Sequence, residues 1–257
     1  MSFRQKLIFV LVLLAAASFM LSWKFFIAPD RLAGSPDYQR TINITSENLL
    51  RPAESPDDAL RIYGVNVVHT RPFKDPFFGY GIYLGNGVVL TAAHVLGRLS
   101  GYTKPHVIIA GQDLPAKIIT QGSADEIDLA LLLVDQARLP VSLRLRRNPL
   151  CRGAVQVRSN VVVVYPERTV RSRIMSPSQI APQFRGKFAT LIDEAQGSGS
   201  GVFDADKHCL IGIMTRRIIK YAAQPTGPFR AARPDGWAGY FVPVSALRKL
   251  SPSGTHF

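Results

Sequence analysis

Three side chains of this 257-residue chain stand where their neighbours prepare them for chemistry. His94 closes the apolar run Val88-Val89-Leu90-Thr91-Ala92-Ala93, and the two alanines let another segment approach its imidazole. Asp128 opens the run Leu129-Ala130-Leu131-Leu132-Leu133-Val134. A carboxylate at the edge of so apolar a strand is costly unless it is partnered. Ser198 lies in Gln196-Gly197-Ser198-Gly199-Ser200-Gly201-Val202-Phe203-Asp204. Glycines on both sides of a serine remove Cβ atoms that would crowd a bound carbonyl, and they allow φ values that aim successive N–H groups at one point. An imidazole, a carboxylate that fixes its tautomer and a hydroxyl that the imidazole can deprotonate are the parts of nucleophilic acyl transfer. Each has a plain structural alternative: a packed histidine, a solvated acid beside Asp125 and Glu126, a Gly/Ser linker. Linkers, however, are rarely followed by Val-Phe-Asp and then an apolar strand.

Strands must carry these groups. Short runs rich in Val, Ile, Leu and Tyr recur at residues 62–69, 80–84, 88–91, 106–110, 116–120, 128–134, 154–157, 161–164, 210–214 and 239–242. That spacing predicts an all-β fold. Gly85-Asn86-Gly87 supplies residues that tolerate positive φ, so residues 80–91 form the clearest hairpin. The polar, basic, Pro-bounded segment 139–149 divides the strands into two groups of similar length, which suggests two small barrels or sheets. No Gly-rich phosphate loop and no βαβ alternation is present.

Composition narrows the class further. Lys and Arg number 31 against 18 Asp and Glu, a formal charge of +13, and 47% of residues are hydrophobic. A packed core is expected, and disordered or collagen-like chains are excluded. Arg4 and Lys6 precede a 17-residue uncharged stretch, residues 7–23. A helix over residues 7–28 would span about 33 Å, close to a bilayer core. Residues 1–28 therefore read as an N-terminal hydrophobic helix, either a signal-anchor or a signal peptide, whose basic end stays in the cytoplasm. The rest is then periplasmic or extracellular, membrane-anchored or secreted. Residues 29–60 read as a Pro-broken linker, 61–250 as the folded domain and 251–257 as a tail. Without the first 28 residues the charge is still +10. The basic residues lack interleaved stacking aromatics, so nucleic acid is an unlikely partner, and anionic lipid or an acidic wall polymer fits better. His69, His106, His208 and His256 lack mutual ligand spacing, and neither a metal nor another cofactor is expected.

With these motifs together, the chain resembles the trypsin-like serine proteases of the chymotrypsin superfamily, in their bacterial style. Thr91-Ala92-Ala93-His94 matches that family's histidine motif, Asp128-Leu129-Ala130-Leu131 its aspartate motif, and Ser198-Gly199-Ser200-Gly201-Val202 its serine motif. The order also matches, with 34 residues from His94 to Asp128 and 70 from Asp128 to Ser198. The resemblance implies two six-stranded β-barrels and a serine endopeptidase with catalytic His94, Asp128 and Ser198 acting on protein or peptide substrates. It further implies an oxyanion hole from the backbone amides of Gln196 and Ser198, and a pocket shaped by Ile192, Thr215 and Arg217 for the side chain before the scissile bond. Arg217 would either block that pocket or favour an acidic side chain. Family members often cross-link the region of Cys151 and Cys209, so one disulfide is expected there; otherwise both are small buried residues. Two departures stand out. Gln196 replaces the usual glycine, which favours the alternative of a catalytically inactive domain that binds peptides or partner proteins. Gly197 occupies the position often held by aspartate, so zymogen activation at Arg61-Ile62 is not expected. Ser200, also flanked by glycines, is the other candidate nucleophile.

Overall fold

The computed structural model describes residues 36–69, 77–97, 105–153, 155–180, 188–191, 197–221 and 234–250. The expected hydrophobic helix of residues 1–28 and the tail 251–257 lie outside them. Among the described residues no helix is long and apolar enough to cross a membrane.

Val-, Ile- and Leu-rich runs become strands, as their β-branched side chains favour. β1 (Gly64–His69), β2 (Phe77–Gly85), β3 (Val88–Thr91), β4 (Pro105–Ile109), β5 (Gln112–Gln121) and β6 (Ala130–Val134) close into a ring in the order β1-β2-β3-β6-β5-β4. A second ring, β10-β11-β12-β9-β8-β7, is built from β7 (Asn160–Val164), β8 (Thr169–Ile174), β9 (Phe188–Leu191), β10 (Gly201–Asp204), β11 (Leu210–Tyr221) and β12 (Pro234–Pro243). Its closure is thin, because β8 meets β9 only at Arg173↔Leu191 and Ile174↔Thr190. The fold is all-β, and the 139–149 segment does divide it. The predicted hairpin forms, with positive φ at Gly85, Asn86 and Gly87.

One apolar cluster runs from Val65 and Leu90 in the first ring to Val162, Phe203 and Leu210 in the second. Each such fully buried side chain contributes roughly 1.5–3 kcal/mol. The rings therefore share a core.

Three expectations need correction. Residues 29–60 are not an irregular linker where they are described, because α1 (Pro36–Leu50) is helical. Tyr38, Ile42 and Thr45 recur at helical spacing and face the first ring, where Tyr38 and Ile42 pack with Val68 and Ile108. That face mixes an aromatic, an aliphatic and a hydroxyl residue, so hydrophobicity alone did not reveal it. Thr45 Oγ1 accepts the Gly111 N–H at 3.0 Å. Tyr38 donates to Asp113, whose other oxygen meets His106 Nδ1 at 2.9 Å. Burial would raise the Asp113 carboxyl, but hydrogen bonds from His106 and Tyr38 outweigh it and hold it below its ordinary range. The expected strand 154–157 does not form over its described residues; Val155 and Gln156 are irregular and Val157 begins a turn that carries Arg158 at φ +70. Lastly, β11 extends to Tyr221, well past the apolar run 210–214.

Cys151 and Cys209 form the expected disulfide, with Cα atoms 5.0 Å apart. It staples the start of the second half to the strand after the serine loop, beside the hydrogen bond from the Cys151 N–H to the Leu210 carbonyl.

Candidate active site

The register of two strands brings the first two groups together. Thr91 pairs with Ala130 across β3 and β6, so the residues just after Thr91 and just before Ala130 leave the ring at the same end. His94 sits in the single helical turn Ala93–Leu96, which Gly97 ends at φ +71. Ala92 and Ala93 are fully buried, the close approach their size suggested. Asp128, only 2% exposed, accepts twice from His94. The backbone N–H reaches Oδ1 at 3.0 Å, and the ring Nδ1 meets Oδ2 at 2.8 Å. An ionised carboxylate only accepts, so Nδ1 is the donor in this contact, and in the neutral imidazole Nε2 is then the nitrogen that keeps a lone pair.

Ser198 is brought from the second ring. It shares with His94 a cavity of about 380 Å³, also lined by Gly197, Met214, Thr215, Arg216 and Arg217. Its hydroxyl donates to the Thr215 carbonyl at 3.0 Å, and no hydrogen bond joins it to His94. Ser200 is fully buried and its hydroxyl donates to the Gly197 carbonyl at 2.7 Å, so it does not face the cavity. Among the described residues, no acceptor takes the Ser198 amide. Gln196 and Ile192 lie outside the described residues.

The glycines around Ser198 serve packing between the rings. The Tyr80 N–H of β2 donates to the Ser198 carbonyl at 2.9 Å, and the Gly199 N–H to the Met214 carbonyl at 2.8 Å. A Cβ on Gly199, whose φ is +96, would fall 1.8 Å from the Tyr80 carbonyl oxygen. One on Gly197 would fall 2.7 Å from the rings of Tyr80 and Tyr165. Beside the room for a bound carbonyl expected from the sequence, these positions also admit Tyr80 of the first barrel and, at Gly197, Tyr165 of the second.

Those two rings stand edge to face, 5.3 Å apart. Burial raises the Tyr165 hydroxyl to about 12, and burial with the nearby Glu167 raises Tyr80 to about 12. Raised above their ordinary value of 10.0, both stabilise the fold in their neutral form, and that contribution is lost as pH rises through about 12. The thermal midpoint is expected to fall between pH 10 and 12, and Tyr165→Phe to flatten that fall when followed by circular dichroism. An unchanged slope would contradict this origin.

Arg216 is the site residue that sequence reasoning missed. Arg216 and Arg217 pair in regular register with Tyr240 and Gly239, just after a register shift of β11 against β12 between Met214 and Arg216. Thr215 is the extra residue, 1% exposed, and both arginines line the cavity. No local pattern announces such a bulge. Arg216 donates to the Ala124 carbonyl and lies 4.0 Å from Asp128 Oδ2. Arg217 lies over the Trp237 ring at 5.0 Å.

No family model and no curated protein matches the chain; solved structures do. The active form of the Rv3671c protease from M. tuberculosis is 17% identical, with a TM-score of 0.54, covering 77% of this chain and 83% of that one. A serine endoprotease from Yersinia pestis is 19% identical at a TM-score of 0.50, covering 81% and 64%. Kallikrein-related peptidase 10 is 17% identical at 0.50, covering 74% and 93%. The chain has the trypsin-like serine protease fold. At such identities the likeness concerns the two-barrel architecture, and the chemistry rests on this chain's own residues.

Proposed function

We propose that the chain is a serine endopeptidase working through His94, Asp128 and Ser198. The observation that carries this reading is a nearly fully buried carboxylate gripping both the backbone and the ring of a histidine that shares its cavity with a serine hydroxyl. Substrate would lie along β11. Between Thr215 and Ile219 this strand pairs only with β12 among the described residues, and its other edge can accept an extended peptide.

In the reaction, Ser198 turns from the Thr215 carbonyl toward Nε2 by rotation about χ1. Nε2 takes the hydroxyl proton as Oγ attacks the peptide carbonyl carbon. The oxyanion is held by the Ser198 amide, with Gln196 as the expected second donor. Collapse breaks the C–N bond, and the imidazolium returns its proton to the leaving amine. Water then enters through the same base and hydrolyses the acyl ester. Asp128 stabilises the imidazolium throughout. Residues 1–28 would hold this domain on the far side of a membrane, their basic end in the cytoplasm.

The second reading, an inactive domain that binds peptides or partner proteins, is favoured by the Ser198 hydroxyl being hydrogen-bonded to Thr215 and not to His94. Digestion of an unfolded protein by wild type and by His94→Ala decides between the two. A catalyst cleaves only with His94 in place, whereas a binding domain leaves the substrate intact in both.

A further inference from the structure

Resting on the peptidase reading, we propose that Arg216 and Arg217 make this cleft select peptides with an acidic side chain among the residues preceding the scissile bond. Among the described residues, the cavity that holds Ser198 and His94 is lined by two guanidinium groups and by no carboxylate. Both arginines border a cavity of about 380 Å³ that is open beside the Ser198 hydroxyl.

Each arginine is positioned and still has donors to offer. Arg216 reaches across the His94–Asp128 pair to the Ala124 carbonyl, while its side chain remains 42% exposed. One acceptor occupies one of the five N–H groups of a guanidinium. Arg217 is steered by its stack on Trp237. Stacking uses the face of the guanidinium and leaves its N–H edge for a carboxylate, to which it can bind bidentately. No acceptor among the described residues takes that edge.

The same charges bear on the chemical step. Proton transfer to His94 creates a third cation beside Arg216, which already lies 4.0 Å from the carboxylate that must stabilise the imidazolium. A substrate carboxylate engaging the arginines offsets this crowding. Acidic substrates should therefore gain in kcat as well as in KM, since part of the interaction grows in the transition state.

Binding and turnover are read separately. In the full-length Ser198→Ala protein, end-blocked fluorescein-labelled peptides carry Glu, Gln or Lys at each position before a common bond. At one position the Glu peptide is expected to bind about tenfold more tightly than the Gln peptide at low salt. Arg217→Met should remove most of that difference, as should molar salt acting on the unmutated pocket. The salt response stands even if the variant folds poorly. Equal binding of the Glu, Gln and Lys peptides at every position would overturn the proposal. Selective binding together with no hydrolysis by the Ser198 protein would sink the peptidase reading alone. In the active protein the Glu peptide should also show the higher kcat; a gain confined to KM would overturn the part of the proposal that concerns the chemical step.

Discussion

Ser198→Ala is expected to lower peptide hydrolysis by a factor on the order of 10⁶, with Ser200→Ala leaving it within roughly a fewfold. The contrast follows from where the two hydroxyls point. Ser198 faces the cavity it shares with His94, and its present acceptor is a backbone carbonyl at 3.0 Å that it can leave by rotation. Ser200 is fully buried and committed to the Gly197 carbonyl at 2.7 Å. Losing it should cost stability, about 1 kcal/mol for one net hydrogen bond, rather than rate. Asp128→Asn should cost about 10⁴ in kcat. An amide offers a single acceptor oxygen where Asp128 accepts both from the His94 backbone and from Nδ1, and its NH₂ group favours the wrong imidazole tautomer. Initial rates on a quenched-fluorescence peptide check all three. A Ser200→Ala rate as low as that of Ser198→Ala would contradict the assignment.

Gly199→Ala should be the most damaging glycine-to-alanine change among the described glycines, costing more than about 4 kcal/mol. The new Cβ would sit 1.8 Å from the Tyr80 carbonyl oxygen and 2.7 Å from Thr91 Oγ1, at a φ of +96. Neither wall can retreat cheaply. The Tyr80 carbonyl accepts from Thr91 Oγ1 at 2.6 Å, and the Gly199 N–H is tied to the Met214 carbonyl. Relief would have to separate the rings and break the Tyr80–Ser198 backbone bond, so activity should disappear with stability. Gly153→Ala is the control. Gly153 also has positive φ, +124, but its Cβ would meet nothing within 4 Å, and its cost should be only the strain of about 1–2 kcal/mol. Urea denaturation of both variants measures the difference at constant m. A Gly199→Ala loss no larger than that of Gly153→Ala would show that the two rings do not press together there.

How far the sequence announced this molecule depended on whether its signals were local. The Gly85-Asn86-Gly87 turn, the apolar strands of the first ring and the motifs around His94, Asp128 and Ser198 were legible because each is a short pattern with one physical meaning. The strand Thr169–Ile174, with Arg171 and Arg173 pointing outward, was not, since its alternation is weak and two of its six residues are charged, although it forms a hairpin with Asn160–Val164. β11 was cut short at Met214 because Arg216, Arg217 and Lys220 end the apolar run, although exposed strand positions tolerate charge. The Thr215 bulge is set by the register with β12, a long-range property. That Gly197 and Gly199 must also make room for Tyr80 was not legible for the same cause, since that neighbour is more than a hundred residues away.

Mass-spectrometric mapping of the adduct formed with a fluorophosphonate probe is the most direct measurement of the central claim, that His94 activates one hydroxyl in the cleft. The expected result is a single modified residue, Ser198, with the adduct lost in His94→Ala. Modification of Ser200, or labelling of Ser198 that persists without His94, would contradict it.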